Sequence, residues 1–263
     1  MPRRSAVATL VAIALLVSCA GDTSPPPPSS SPQAGFPVTV DAANGPVELA
    51  ERPDAIVSIS PTATEMLFAL GAGDQVVAVD DQSNFPPEAP TTDLSGFEPN
   101  VEAIATYEPD LVVTSDDTGE LLDSLAALDI PVMAQPAAVT LDDTYEQIGE
   151  LGQATGHVED AADVVESMRG EIDDIVASVP AFATPPTYYH ELDPTYFTAT
   201  SSTFIGELYT LVGLRNIADP ADDGSGYPQL SAEFIVDADP DLIFLADTKC
   251  CDQSAATVAD RPG

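Results

Sequence analysis

The stretch RPDAIVSISPTATEMLFALGAGDQVVAVD, Arg52 to Asp80, constrains the fold more than any other part of the chain. Ala55 to Ile59 is a short apolar run with β-branched residues, suited to a buried strand. Ser60-Pro61 starts a helix, since Ser caps free backbone N–H groups and Pro is pre-set for the first helical position. Thr62 with Glu65 offers a second, capping-box start. Gly71 and Gly73 end the helix, and Val76 to Val79 is the next strand. This is a βαβ unit, whose strand-to-helix turn lies on the side where open parallel sheets bind ligands.

Part of this unit recurs. SSTFIGELYTLVGLRNIAD, Ser201 to Asp219, aligns with its helix–Gly–strand portion, setting Glu65 on Glu207, Leu70 on Val212 and Gly71 on Gly213. VEAIATYEPDLVVTSDD from Val101 aligns with AEFIVDADPDLIFLADT from Ala232. Here Glu102 falls on Glu233, Pro109-Asp110-Leu111 on Pro240-Asp241-Leu242, and Asp116 on Asp247. The simplest reading is two similar α/β lobes. His157 to Val179 is a long amphipathic helix between them, either a rigid connector or an ordinary packed helix.

The expected divisions are 1–18 a signal peptide, 19–35 a Pro/Ser tether, 36–140 the first lobe, 141–180 connecting helices and 181–263 the second lobe. Arg3-Arg4 and the apolar run Ala6 to Val17 make a targeting segment. Its end, Leu16-Val17-Ser18-Cys19, resembles a bacterial lipobox, in which Cys19 is lipidated. Phe36 to Ala50 reads as a hairpin turning at Asn44-Gly45. Asp81 to Pro99 reads as a loop with isolated Phe85 and Phe97, and Asp219 to Pro228 as an acidic loop. The second lobe has fewer elements than the first, and a C-terminal truncation is expected.

A length of 263 residues holds two lobes, and 44% apolar residues is a globular composition. The net charge of −37 argues against nucleic acid, whose phosphates would be repelled, and suits an extracytoplasmic protein. There is no nucleophile elbow, H-E-x-x-H or P-loop, and only two His, so no three-His metal site is available. No catalytic residue, metal site or cofactor is assigned. Besides Cys19 the only cysteines are Cys250-Cys251. In an oxidising compartment these neighbours are expected to form a disulfide, strained and easily reduced, with metal ligation alongside His190 as the lesser option.

Taken together, RPDAIVSISPTATEMLFALGAGDQVVAVD, FPPEAP, PNVEAIATYEPDLVVTS, the TFIGEL–Gly–Asn segment and LSAEFIVDADPDLIFL resemble the ABC-transporter substrate-binding lipoproteins for vitamin B12 and ferric siderophores. The resemblance implies two α/β lobes joined by one long helix, with the ligand in the cleft between them. It implies a non-enzymatic monomer that delivers a metal chelate, corrinoid or ferric siderophore, to an ABC permease dimer with its ATPase. Glu102 and Glu233 match the two family glutamates that pair with permease arginines. Phe85, Phe97, Asp116, Phe197 and Tyr227 lie in segments that line the family's cleft, and His190 is added as a rim residue. The chain lacks the tryptophans of the B12 binders and the cleft arginines of many siderophore binders. Two rival readings are a haem-binding surface protein, with His190 or a cleft Tyr as axial ligand, and a surface hydrolase using His190.

Overall fold

In the computed structural model, residues 35–116, 118 and 120–261 are described. The signal peptide, Cys19 and nearly all of the tether lie outside them. A hairpin comes first, β1 (Val38–Ala42) antiparallel to β2 (Gly45–Leu49). Ala42 pairs with Gly45, so the turn is Ala43-Asn44, one residue before the expected place, with Gly45 at φ +102°. The shift gives Asn44 another task. Its side chain donates to Val132 O and accepts from Ala134 N, at 3.0 and 2.9 Å, extending a sheet edge.

That sheet is the first lobe's core. Five parallel strands, β3 (Ile56–Ile59), β4 (Val76–Asp80), β5 (Thr91–Leu94), β6 (Leu111–Thr114) and β7 (Val132–Ala134), run in the order β5-β4-β3-β6-β7. The order reverses between β4 and β6, on either side of β3. β3, β6 and β7 are buried along their whole length, as expected of parallel strands covered on both faces. α1 (Pro61–Ala69) is capped by Ser60, whose hydroxyl accepts from Ala63 N, so the Thr62–Glu65 alternative is not used. α2 (Val101–Ala105) is capped by Asn100, and α3 (Leu121–Ala126) precedes β7. β5 falls within the segment 81–99 whose sequence reads as loop. Its TTDL segment is polar and flanked by prolines, and only pairing with β4 makes it a strand.

α4 (Leu141–Thr155) begins with a Thr140–Asp143 capping box. α5 (Val158–Ser178) has 21 residues, about 32 Å of helix. Its first half packs through Ala161, Val164, Val165 and Met168 on the first lobe's core, so the connector is also a packed helix. Arg169 reaches back to Asp142 at 2.9 Å and lies 4.0 Å over the Tyr145 ring.

The second lobe has three parallel strands, β8 (Thr187–Glu191), β9 (Arg215–Asn216) and β10 (Leu242–Leu245), in the order β10-β8-β9. α6 (Phe204–Leu211), α7 (Ala232–Ala238) and the unanticipated α8 (Ala255–Ala259) accompany them. The sequence repeat recurs in backbone angles. Leu70 and Val212 have φ,ψ of −88°,8° and −90°,10°, each followed by a left-handed glycine, Gly71 at +83° and Gly213 at +79°. Asp110 accepts from Asp54 N and Ala55 N at 3.0 and 3.1 Å, and Asp241 from Thr187 N at 2.8 Å. In each lobe the Pro-Asp aspartate thus ties its strand to the start of the central one. The fold is two similar α/β lobes joined by one long helix.

Candidate ligand-binding rim

In the first lobe the rim is built beyond the ends of β3 and β4. Asp80, the last residue of β4, is buried, and its carboxylate accepts from Gln82 N and Ser83 N at 2.9 and 2.7 Å. Ser83 Oγ lies 3.2 Å from Thr64 Oγ1, whose one hydroxyl hydrogen is donated to Ser58 Oγ at 2.9 Å. This network fixes the loop that presents Phe85, 58% exposed. A second loop crosses the same edge. Asp81 N donates to Leu94 O, and Gly96 sits where a Cβ would lie 2.8 Å from Ile59 O and 3.0 Å from Asp80 Oδ2. Only glycine permits that approach, and the next residue is Phe97, 76% exposed. Two bare aromatics therefore stand on one strand-end edge. Asp116 lies just past β6, exposed, its N–H donating to Thr114 Oγ1 at 3.3 Å.

In the second lobe the segment 196–200 lies between the end of β8 and the segment 226–230. Leu192 N donates to Phe197 O, Thr198 N to Pro228 O, and Thr200 N to Gly226 O. Phe197 and Gln229 form an antiparallel bridge, as do Glu191 and Thr198. These pairings bring Phe197 and Tyr227, both more than a third exposed, onto adjacent strips. The Asp222 carboxylate shapes the second strip. It accepts from Gly226 N and Gly224 N, which hold it below the usual carboxylate range.

His190 sits differently from the other five. It lies within β8, not in a loop beyond it, and is 9% exposed. Its Nδ1 is 3.0 Å from Tyr209 Oη, within an aromatic cluster of Tyr188, Tyr209 and Phe244. Burial pushes its pKa down, so the ring is held neutral.

Sequence reasoning missed the charged group behind this rim. Glu191, fully buried at the end of β8, is forked by Arg261, with two N–H···O bonds of 2.6 Å. Asp247, also fully buried, lies beside it. Burial, and then the charge of Glu191, push its pKa up. The alignment of Asp247 with Asp116 hid this, because Asp116 is exposed. The only signal was the Arg261 guanidinium itself, which in a chain this acidic implies a carboxylate partner. Cys250 and Cys251 are joined by a disulfide on the same loop.

Glu102 and Glu233 are exposed, each in the first turn of its helix behind Asn100 and Ser231 caps. A cavity of about 450 Å³ lies on the second lobe, lined by Tyr189, Tyr196, Ile235, Ile243 and Arg261 among others, and none of the six rim candidates lines it. Among the described residues no cluster of three His, Cys, Asp or Glu side chains could hold a metal ion.

Residues 56–262 match the family profile described as periplasmic binding protein. The chain is 36% identical over 255 residues to a cobalamin-binding protein of Halobacterium salinarum, covering 91% of this chain and 69% of the relative. It is 30% identical over 261 residues to an uncharacterized ABC transporter substrate-binding lipoprotein, YvrC, of Bacillus subtilis, covering 94% and 82%. Among solved structures, the periplasmic heme binding protein HutB of Vibrio cholerae superposes with a TM-score of 0.68 at 26% identity, over 78% of this chain and 80% of that one. This family is one of binding proteins, and the hydrolase reading falls with it. The chain belongs to the periplasmic binding protein family and is an extracytoplasmic solute-binding protein, not an enzyme.

Proposed function

We propose that this protein captures a metal chelate, a cobalamin-type corrinoid ahead of a ferric siderophore, and delivers it to an ABC permease dimer coupled to its ATPase. The observation that carries the reading is the pair of aromatic rims. Phe85 and Phe97 in one lobe, and Phe197 and Tyr227 in the other, are exposed at strand ends where open α/β sheets receive ligands. Bare aromatic rings at such a place offer large apolar area to a macrocycle or a catecholate at small entropic cost. The corrinoid is placed first because the Halobacterium salinarum relative is named as a cobalamin binder. Asp116 and His190 complete the proposed ligand set. The chelate's metal is cargo held by its own ligands, so no protein metal site is required.

In this reading the lobes are 36–140 and 181–263, with 141–180 between them, and Glu102 and Glu233 are the permease contacts. Cys19, outside the described residues, carries the lipid anchor. The test is calorimetric titration of the mature chain with hydroxocobalamin, haemin and ferric siderophores. One-to-one binding of hydroxocobalamin is expected. Binding of haemin alone would move the assignment to the haem reading, and binding of none would overturn it.

A further inference from the structure

Residues 246–253 follow β10 and close against the end of β8. Ala246 N donates to Glu191 O at 2.9 Å, so sheet pairing reaches the point where Asp247 enters the interior. The loop is pinned at both ends to one node. At its start, Asp247 is buried beside Glu191. At its end, Gln253 Oε1 accepts from the same Arg261 that forks Glu191, at 2.7 Å. Cys251 N donates to Asp247 O and Gln253 Nε2 to Cys251 O, so the bridged cysteines join the two pinned ends.

The charges in this node are unequal. Two carboxyl groups meet one guanidinium, and of the two Arg261 bonds Glu191 alone. Among the described residues no N–H group donates to either Asp247 oxygen, and its polar neighbour is the Glu191 carboxyl group. A carboxyl group left so is costly to bury, and water outside the loop would receive it better. In the first lobe the equivalent Asp116, with no bridged pair following it, is exposed. The second lobe differs in the Glu191–Arg261 fork and in the disulfide, and Cys250 is exposed.

We propose that the Cys250–Cys251 disulfide is a thiol–disulfide switch: oxidised, it holds Asp247 beside Glu191 and orders the second lobe's rim; reduced by a dithiol, it releases both. In the step, a thiolate of the dithiol attacks Cys250 Sγ, the Sγ–Sγ bond breaks, and Cys251 leaves as a thiolate and takes a proton. The second thiol displaces Cys250 and closes the reagent's own disulfide. Two electrons and two protons pass to the protein. The segment 192–198 lies against Glu191 through the Thr198 pairing, so the release reaches Phe197. That consequence for capture rests on the rim reading above.

The experiment is hydrogen exchange on the full chain, oxidised and after dithiothreitol, with alkylation and mass spectrometry to count thiols. Fixing two residues' backbone angles is lost on reduction, so amides of 246–253 should exchange about tenfold faster or more. Cys250→Ser with Cys251→Ser should behave as the reduced protein. Asp247→Asn removes the buried acid while keeping its shape, and should stay protected after reduction. Unchanged protection on reduction, or no rescue by Asp247→Asn, would overturn the latch. Hydroxocobalamin affinity, measured in parallel, should fall on reduction. Equal affinities with lost protection would overturn the link to capture. Absence of binding even when oxidised would mark failure of the rim reading, while exchange still judges the latch.

Discussion

Replacing Gly206 by Ala adds one carbon, and the structure assigns it a definite cost. Gly206 sits in the first turn of α6, against the backbone of residues 200 and 201. A Cβ there would lie far inside contact with Thr200 O, 2.5 Å from Ser201 Cα and 2.7 Å from Thr200 C. These neighbours cannot yield freely. Thr200 N is bonded to Gly226 O, Ser201 N to Asp219 Oδ1, and Thr200 O accepts from Thr203 Oγ1. Overpacking costs about 1–3 kcal/mol, and each weakened hydrogen bond about 1 kcal/mol more. Against this stands a helix-propensity gain of about 1 kcal/mol. The net expectation is a loss of about 2–3 kcal/mol, or roughly 4–12 °C in Tm for a chain of this size. Gly170→Ala is the control. It lies exposed in α5 with nothing within 4 Å of its Cβ position, and should gain about 0.4–1 kcal/mol. Thermal unfolding of both variants by circular dichroism is the assay. If Gly206→Ala is as stable as Gly170→Ala, the packing of 200–203 on α6 described above is wrong.

Glu102→Arg with Glu233→Arg should abolish uptake in cells carrying the cognate permease while leaving ligand affinity unchanged; normal uptake would remove the docking role. Asn100→Ala and Ser231→Ala each delete a helix cap and should cost about 1 kcal/mol in urea unfolding. His190 is held neutral in the fold, its pKa below the ordinary 6.5. Its contribution is therefore complete above that value and lost as pH falls beneath it, because the unfolded chain takes the proton first. His190→Gln should flatten the decline of stability below pH 6.5, and an unaltered decline would assign it to other groups.

The repeat was the most legible part of the sequence, because it is written in residues with a backbone task. Gly71 and Gly213 need positive φ, and Asp110 and Asp241 each tie a strand start. Strands buried on both faces, such as β6, show as plain apolar runs. β5 was illegible since its strand character comes from β4, not from its own residues. From the sequence His190 is a rim residue, because a polar pair after Tyr188-Tyr189 looks like a strand end. The aromatic cluster and the Glu191–Arg261 fork that bury those positions come from residues far along the chain. The support behind Phe85 and Phe97 was likewise hidden, for nothing local marks Asp80 as buried or Gly96 as pressed on Ile59 O.

In the proposed function one chelate is held by the rims of both lobes at once. Hydrogen exchange of the oxidised mature chain, with and without saturating hydroxocobalamin, tests it most directly. At a hundred times its dissociation constant, a ligand binding only the folded state adds about 2.7 kcal/mol, ample to slow local opening. New protection is expected in 81–98 and in both 192–200 and 224–229 together. Protection confined to one lobe, or centred on the cavity walls at Ile235 and Ile243, would contradict it.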